Sequence, residues 1–231
     1  MKLITIHQPN YMPWSGFFHK WLIADVFVIL DTVQYHKNEW QNRNQIKTTQ
    51  GAQWVTVPVT YRFPQTIQEV GIAQGNWAKK QVSSIEQAYA KAPFFTQTWQ
   101  PIKAVLQHKH DSLSKLNIAL IQALGQQLGC TAPIYIASDL PIENTEPTGR
   151  LIDICTHFNA DAYLSGAEGR SYLQKEAFEA AGLSLYFQDV QPPIYAQLHG
   201  DFIPYLSVLD VLFNMGDEAR EVVRNMGDKI S

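Results

Sequence analysis

The sequence predicts an α/β fold with a mostly parallel sheet and a helical insert, and three observations carry that expectation. Apolar runs of strand length recur and stop at prolines or polar side chains. Helix-length segments lie between them, and three successive helical patterns interrupt the alternation over residues 76–129. The first run is Leu3-Ile4-Thr5-Ile6, broken by Pro9 and Pro13, which fix φ and cannot continue a ladder. His7 therefore stands at the carboxyl end of a strand. After a helix-length segment, Val26-Phe27-Val28-Ile29-Leu30 forms a second strand that ends at Asp31. Two strands joined by a helix suggest a right-handed βαβ unit. Ligands of open α/β sheets bind outside the carboxyl ends of the strands, so His7 and Asp31 are expected to face one crevice.

Farther along, Trp54-Val55-Thr56-Val57-Pro58-Val59 alternates as a strand, with Pro58 marking an edge or bulge. The segment Thr66-Ile67-Gln68-Glu69-Val70-Gly71-Ile72 is expected to pair with it. The insert holds helical patterns over 76–91, 96–107 and 112–128, with Asn76 as N-cap, Pro101 interrupting the second and Gly129 closing the third. The α/β rhythm then resumes with strand Ile134-Tyr135-Ile136, a helix over 149–158, strand Ala162-Tyr163-Leu164, a helix over 175–181 and strand Ser184-Leu185-Tyr186-Phe187. Residues 202–215 read as a last apolar helix.

A chain of 231 residues with 45% hydrophobic content can bury its core as one domain, so residues 1–231 are expected to form a single α/β unit. A net charge of −3 argues against a broad nucleic-acid surface. Cys130 and Cys155 lack CxxC spacing, which disfavours a disulfide framework or a cysteine zinc site and favours a reducing compartment. No signal-peptide pattern and no run near the roughly 20 apolar residues of a membrane span occur, so the expectation is a cytoplasmic protein.

Three constellations carry chemistry. The first, His7 to Lys20, crowds His7, Gln8, Asn10, Tyr11, Trp14, His19 and Lys20 behind the first strand. His7 is the candidate general base, because imidazole alone has an ordinary pKa near neutrality, and Asp31 is the candidate to orient it. The alternative is a histidine that only hydrogen-bonds the following turn. Asp31 could also hold a divalent ion beside a phosphate, but one carboxylate with scattered histidines gives no ligand set, and none is assigned.

The second, Asp31 to Lys47, includes Gln34, Lys37, Trp40, Asn42, Arg43 and Asn44. Tryptophan faces stack on sugars or bases, amides read hydroxyls, and Lys37 and Arg43 are the phosphate candidates. A solvated loop is the bland reading. The third is Ser165-Gly166-Ala167-Glu168-Gly169-Arg170 between a strand and an expected helix. Ser165, Gly166, Gly169 and Arg170 could seat a phosphate or carboxylate at the helix N-terminus, or the glycines could simply make a tight turn.

These blocks, together with Pro13, Gly16, Ala24-Asp25, Val33, Gln41 and Tyr172-Leu173, resemble the WbqC-like family of bacteria. The resemblance implies an enzyme of surface-polysaccharide or O-antigen biosynthesis, with glycine transfer to an amino sugar as the associated activity. It also implies contact with other polysaccharide-biosynthesis enzymes. The order of strand, Pro-rich turn, helix and strand resembles in addition the Rossmann-like nucleotidyltransferases of the HIGH-motif superfamily. Trp14-Ser15-Gly16-Phe17 stands where those enzymes carry HxGH, so both histidines are absent.

The expected activity is acyl or aminoacyl transfer to an amino sugar linked to a nucleotide or phosphate. Two alternatives stand beside it. One is an ATP-dependent nucleotidyltransferase or ligase, with ATP and magnesium as cofactors; the other is a non-catalytic nucleotide-sugar-binding partner.

Overall fold

Five parallel strands and one antiparallel edge strand form the central sheet of the computed structural model, which describes residues 1–230, the last two by backbone alone. Strand β1 (Leu3–His7) leads through α1 (Ser15–Ile23) to β2 (Val26–Ile29). A hairpin of β3 (Arg43–Thr48) and β4 (Gly51–Thr56) follows, then the short pair β5 (Val59–Thr60) and β6 (Gly71–Ile72). Helices α2 (Trp77–Tyr89), α3 (Phe95–Gln107) and α4 (Leu113–Gln127) come next. The sheet resumes with β7 (Ile134–Ile136), α5 (Pro147–His157), β8 (Ala162–Ser165), α6 (Lys175–Ala180) and β9 (Ser184–Val190). Helices α7 (Val208–Met215) and α8 (Ala219–Arg224) and strand β10 (Gly227–Ile230) end the described chain.

The sheet order is β10-β9-β8-β1-β2-β7, with β10 antiparallel to β9. Alternate side chains of each strand enter different layers, as a period of two requires. Ile4, Ile6, Val26 and Val28 pack against Leu151, Ile154 and Cys155 of α5 and Phe178 of α6. Phe27 and Ile29 face the other way, into a larger core with Phe17, Phe18 and Trp21 of α1, Leu120 of α4 and Phe213 of α7. The three helices over 77–127 thus share this core with one face of the sheet. Among the described residues no helix is long and apolar enough to cross a membrane.

Several expected elements fall differently. Residues 43–48, read as part of a polar loop, form β3, because its inward positions are filled by Asn44, Ile46 and Lys47. Lys47 can be buried because its Nζ donates to the carbonyls of Gly200 and Asp201 and to Gln197 Oε1. The segment 66–72 does not pair along 54–59: only Gly71 and Ile72 meet Thr60 and Val59, after a 3-10 turn at Ile67–Glu69. Asn76 precedes α2 without a side-chain cap, whereas Ser112 caps α4 by accepting from Lys115 N–H. Pro101 lies inside α3, which continues through it. Residues 202–207 are loop, and the last expected helix begins only at Val208.

Candidate functional site

The order of the sheet fixes where a site can lie. From β1 the chain winds outward to β2 and β7, then returns to place β8 and β9 on the opposite side of β1. Helices α1 and α5 accordingly cover opposite faces. Where strand order reverses, helices diverge and a crevice opens beyond the carboxyl ends of the strands. Two cavities occupy that region, of about 880 Å³ and 540 Å³.

The larger is walled by His7 and Gln8 at the exit of β1, Thr32 to Gln34 after β2, Pro147 and Arg150 at the start of α5, and Gly166, Glu168 and Gly169 after β8. The smaller lies between Trp14 and Phe17 at the start of α1, residues 188–191 of β9 and its exit, and Tyr205. Six residues belong to both walls: His7, Asn10, Lys20, Trp40, Gly166 and Glu168. They form the waist at which the two cavities meet.

At this waist the electrostatics are unusual. His7 Nδ1 lies 2.9 Å from the Gln8 carbonyl oxygen. A carbonyl only accepts, so Nδ1 carries the proton and Nε2 keeps its lone pair. Burial, reinforced by the nearby Lys20 charge and opposed by the bond to Gln8, pushes the His7 pKa down to about 3. His7 is therefore a neutral imidazole at physiological pH. The Lys20 ammonium is itself only 1% exposed, and burial lowers its pKa to about 7, with Glu168 opposing.

The loop that brings Trp40 to the waist is tied down by polar bonds. Gln41 Nε2 donates to Gln8 Oε1 at 2.6 Å, and Tyr11 N–H donates to the Trp40 carbonyl at 2.8 Å. Asn117 Nδ2 reaches both the Pro9 and Gln41 carbonyls at 2.7 Å. Asn44 Nδ2 similarly donates to the carbonyls of Tyr11 and Met12, holding Met12 at a φ of 42°. Tyr205, across the smaller cavity, also has positive φ, and its ring lies tilted against that of Trp14 with centroids 5.2 Å apart. Strained backbone of this kind persists only where surrounding bonds determine it. Glycine at position 16 lets the Trp14 ring lie over the first turn of α1, since a Cβ there would overlap that ring. Gly16→Ala is therefore expected to cost roughly 1–3 kcal/mol, read by urea unfolding, by forcing the indole outward.

The structure gathers His7, Gln8, Asn10, Lys20, Gln34, Trp40, Ser165, Gly166 and Gly169 around the larger cavity, and Trp14 and Asn44 at the smaller one. It does not bring Asp31 to either. Asp31 is 3% exposed and accepts from Ser138 N–H at 3.1 Å and Ser138 Oγ at 2.9 Å, so its carboxylate ties β2 to the turn after β7. Backbone at Gln8, rather than Asp31, orients His7.

The phosphate candidates also lie elsewhere. Lys37 is exposed and outside both walls. Arg43 stacks over Trp54 at 4.2 Å, and Arg170 lies over Phe187 at 5.0 Å. Residues 167–171 form only a short 3-10 turn, so no helix N-terminus stands behind Gly166. Tyr11 donates its hydroxyl to Gln81 Oε1, Asn42 Nδ2 donates to the Val57 carbonyl, and His19 sits between Gln188 Nε2 and the Gly227 carbonyl. These three act as struts.

Arg150, Glu168 and Tyr172 line the larger cavity without having been singled out as contacts by sequence reasoning. Arg150 had no legible signal. Its Nε and Nη2 donate to the carbonyls of Asn144 and Thr145, which a reading by motif does not reveal. Glu168 lies within the Ser-Gly-x-x-Gly-Arg block, where the acidic side chain rather than the arginine lines the cavity.

Residues 8–222, which include the β1 exit, the Trp40 loop and the turn after β8, match the WbqC-like protein family. The chain belongs to the WbqC-like family. It is also 37% identical over 228 residues to the uncharacterized protein Rv1507c of Mycobacterium tuberculosis, covering 97% of this chain and 98% of the relative. No solved structure matches this WbqC-like chain.

Proposed function

We propose that this protein transfers an acyl or aminoacyl group, glycine in the first instance, to the amine of a sugar linked to a nucleotide or phosphate, in surface-polysaccharide biosynthesis. The observation that carries this reading is the neutral His7, with Nε2 unprotonated, at the meeting of two cavities. Transfer between two substrates needs their reacting atoms brought together, and a waist shared by two cavities provides such a place. The larger cavity has the size of ordinary ligand sites.

In this reaction the sugar amine attacks the acyl carbonyl, the C–N bond forms, and the bond to the donor's leaving group breaks. His7 Nε2 accepts the proton that the amine loses. Gln8, Asn10 and Gln34 offer amides to sugar hydroxyls, and Trp40 offers its face to a ring. The free thiols Cys130 and Cys155, both pushed up to about 12 by burial, fit a reaction carried out in the cytoplasm without cysteine chemistry.

A Rossmann-like, HIGH-motif layout, which the order of the first elements resembles, would point instead to ATP and magnesium. Glu39 and Glu168 are the carboxylates of the larger cavity, and among the described residues no group of three or more metal-binding side chains gathers. Magnesium commonly enters with substrate phosphates and one or two carboxylates, supplying charge neutralisation at the phosphates.

The deciding experiment supplies the protein with nucleotide-linked amino sugars and activated acyl donors and follows product mass. A sugar nucleotide heavier by one acyl residue is expected. Pyrophosphate release from ATP and magnesium, without acylated sugar, would replace this reading with nucleotidyl transfer.

A further inference from the structure

We propose that Lys20 is the seat of an oxyanion, a phosphate or carboxylate of the bound ligand, held at the waist between the two cavities. Lys20 is in the first helix yet lies in both cavity walls. Its side chain is 1% exposed, and among the described residues its Nζ has no hydrogen-bond partner. The contrast with Lys47, equally buried, is direct: that ammonium reaches three oxygens of the chain. A buried ammonium without acceptors is costly, which is why the Lys20 amine holds its proton only weakly in the empty site, at the place where ligands would gather.

The surroundings leave the acceptor's place open. No salt bridge joins Lys20 to Glu168, although that carboxylate belongs to the same waist and its charge favours the protonated lysine. Gly166 lies beside Nζ, and even a Cβ there would remain 3.8 Å away, so backbone alone separates the ammonium from the cavities on that side. His7, neutral and a hydrogen-bond acceptor, completes the waist but supplies no countercharge. Arg150 in the larger cavity and Lys20 at the waist are the cations of the two walls. An oxyanion between them would give Lys20 the acceptors that the chain withholds.

The anion seat is separable from the transfer reaction. The test is calorimetric titration of the whole protein with inorganic phosphate, a nucleoside monophosphate and acetate, repeated on Lys20→Met and on Lys37→Met, whose lysine is exposed and outside both walls. Lys20→Met is expected to weaken binding of the preferred anion by on the order of tenfold or more. In the absence of ligand the same variant is expected to melt at a higher temperature than the wild type, because it replaces an unpartnered buried cation with an apolar chain of similar length. Lys37→Met is expected to bind the anion as the wild type does.

Tighter binding of the phosphates assigns the seat to a phosphoryl group, and tighter binding of acetate assigns it to a carboxylate. Equal anion affinity in wild type and Lys20→Met would overturn the proposal, as would no binding by the wild type at tens of millimolar anion. A fall in the melting temperature of Lys20→Met with unchanged anion affinity would make Lys20 a structural residue. Failure of product formation in the acyl-transfer assay, with anion binding intact, would remove only the transfer reaction.

Discussion

His7→Gln is expected to lower acyl transfer by roughly 10²–10⁴-fold while leaving the fold in place. Glutamine fills similar space and can donate to the Gln8 carbonyl that His7 engages at 2.9 Å, but it has no basic nitrogen to turn toward the amine. Turnover of the purified variant, measured beside its melting temperature, separates the two effects. Transfer at the wild-type rate would remove His7 from the chemistry.

A pH series gives a second readout. The folded pKa of about 3 lies below the ordinary 6.5, so the stability contributed by neutral His7 is present above pH 6.5 and is lost as pH falls toward 3. His7→Gln should therefore unfold less readily in acid than the wild type, with the two curves converging near neutrality.

Asp31→Ala is expected to destabilise the protein by about 3 kcal/mol, measured by urea unfolding, while the molecules that remain folded keep most of their transfer activity. Truncation strands Ser138 N–H and Oγ, which Asp31 binds at 3.1 and 2.9 Å. Asp31→Asn should cost less than half as much, because its amide oxygen still accepts a bond. The carboxyl titration has the opposite direction from that of His7. Burial, opposed by the Ser138 bonds, raises the Asp31 pKa above 3.8, so its linkage contribution to stability is fully present below 3.8 and is lost as pH rises through the folded value. Asp31→Asn should remove that dependence. A loss of turnover without a loss of stability would return Asp31 to the catalytic role that its position after β2 suggested.

That reversal shows which parts of the site could be read without coordinates. The ends of β1 and β2 were legible because short apolar runs meet hard stops, and the two strands do pair, with His7 opposite Ile29. What lay beyond the run was not. Leu30 and Thr32 on either side line the larger cavity, while the Asp31 side chain turns inward and meets Ser138 from a segment more than a hundred residues distant.

The hairpin was missed for a related reason: β3 buries Asn44 and Lys47, and polar letters read as solvent until their partners are known. Charge was misread in the same way. Arg43 and Arg170 looked available because sequence counts cations without showing that both lie against aromatic rings. Lys20 looked like one contact among many, because no pattern in one dimension records that a buried ammonium lacks a partner.

The shared wall also bears on the sequence of events in a catalytic cycle. While the site is empty, burial, with the charge of Lys20 as a lesser cause, keeps the imidazole of His7 a feeble proton acceptor. Arrival of an anion would offset that charge and make the imidazole more basic. A donor arriving without that anion would meet the weaker base, so an activated donor alone should be hydrolysed slowly.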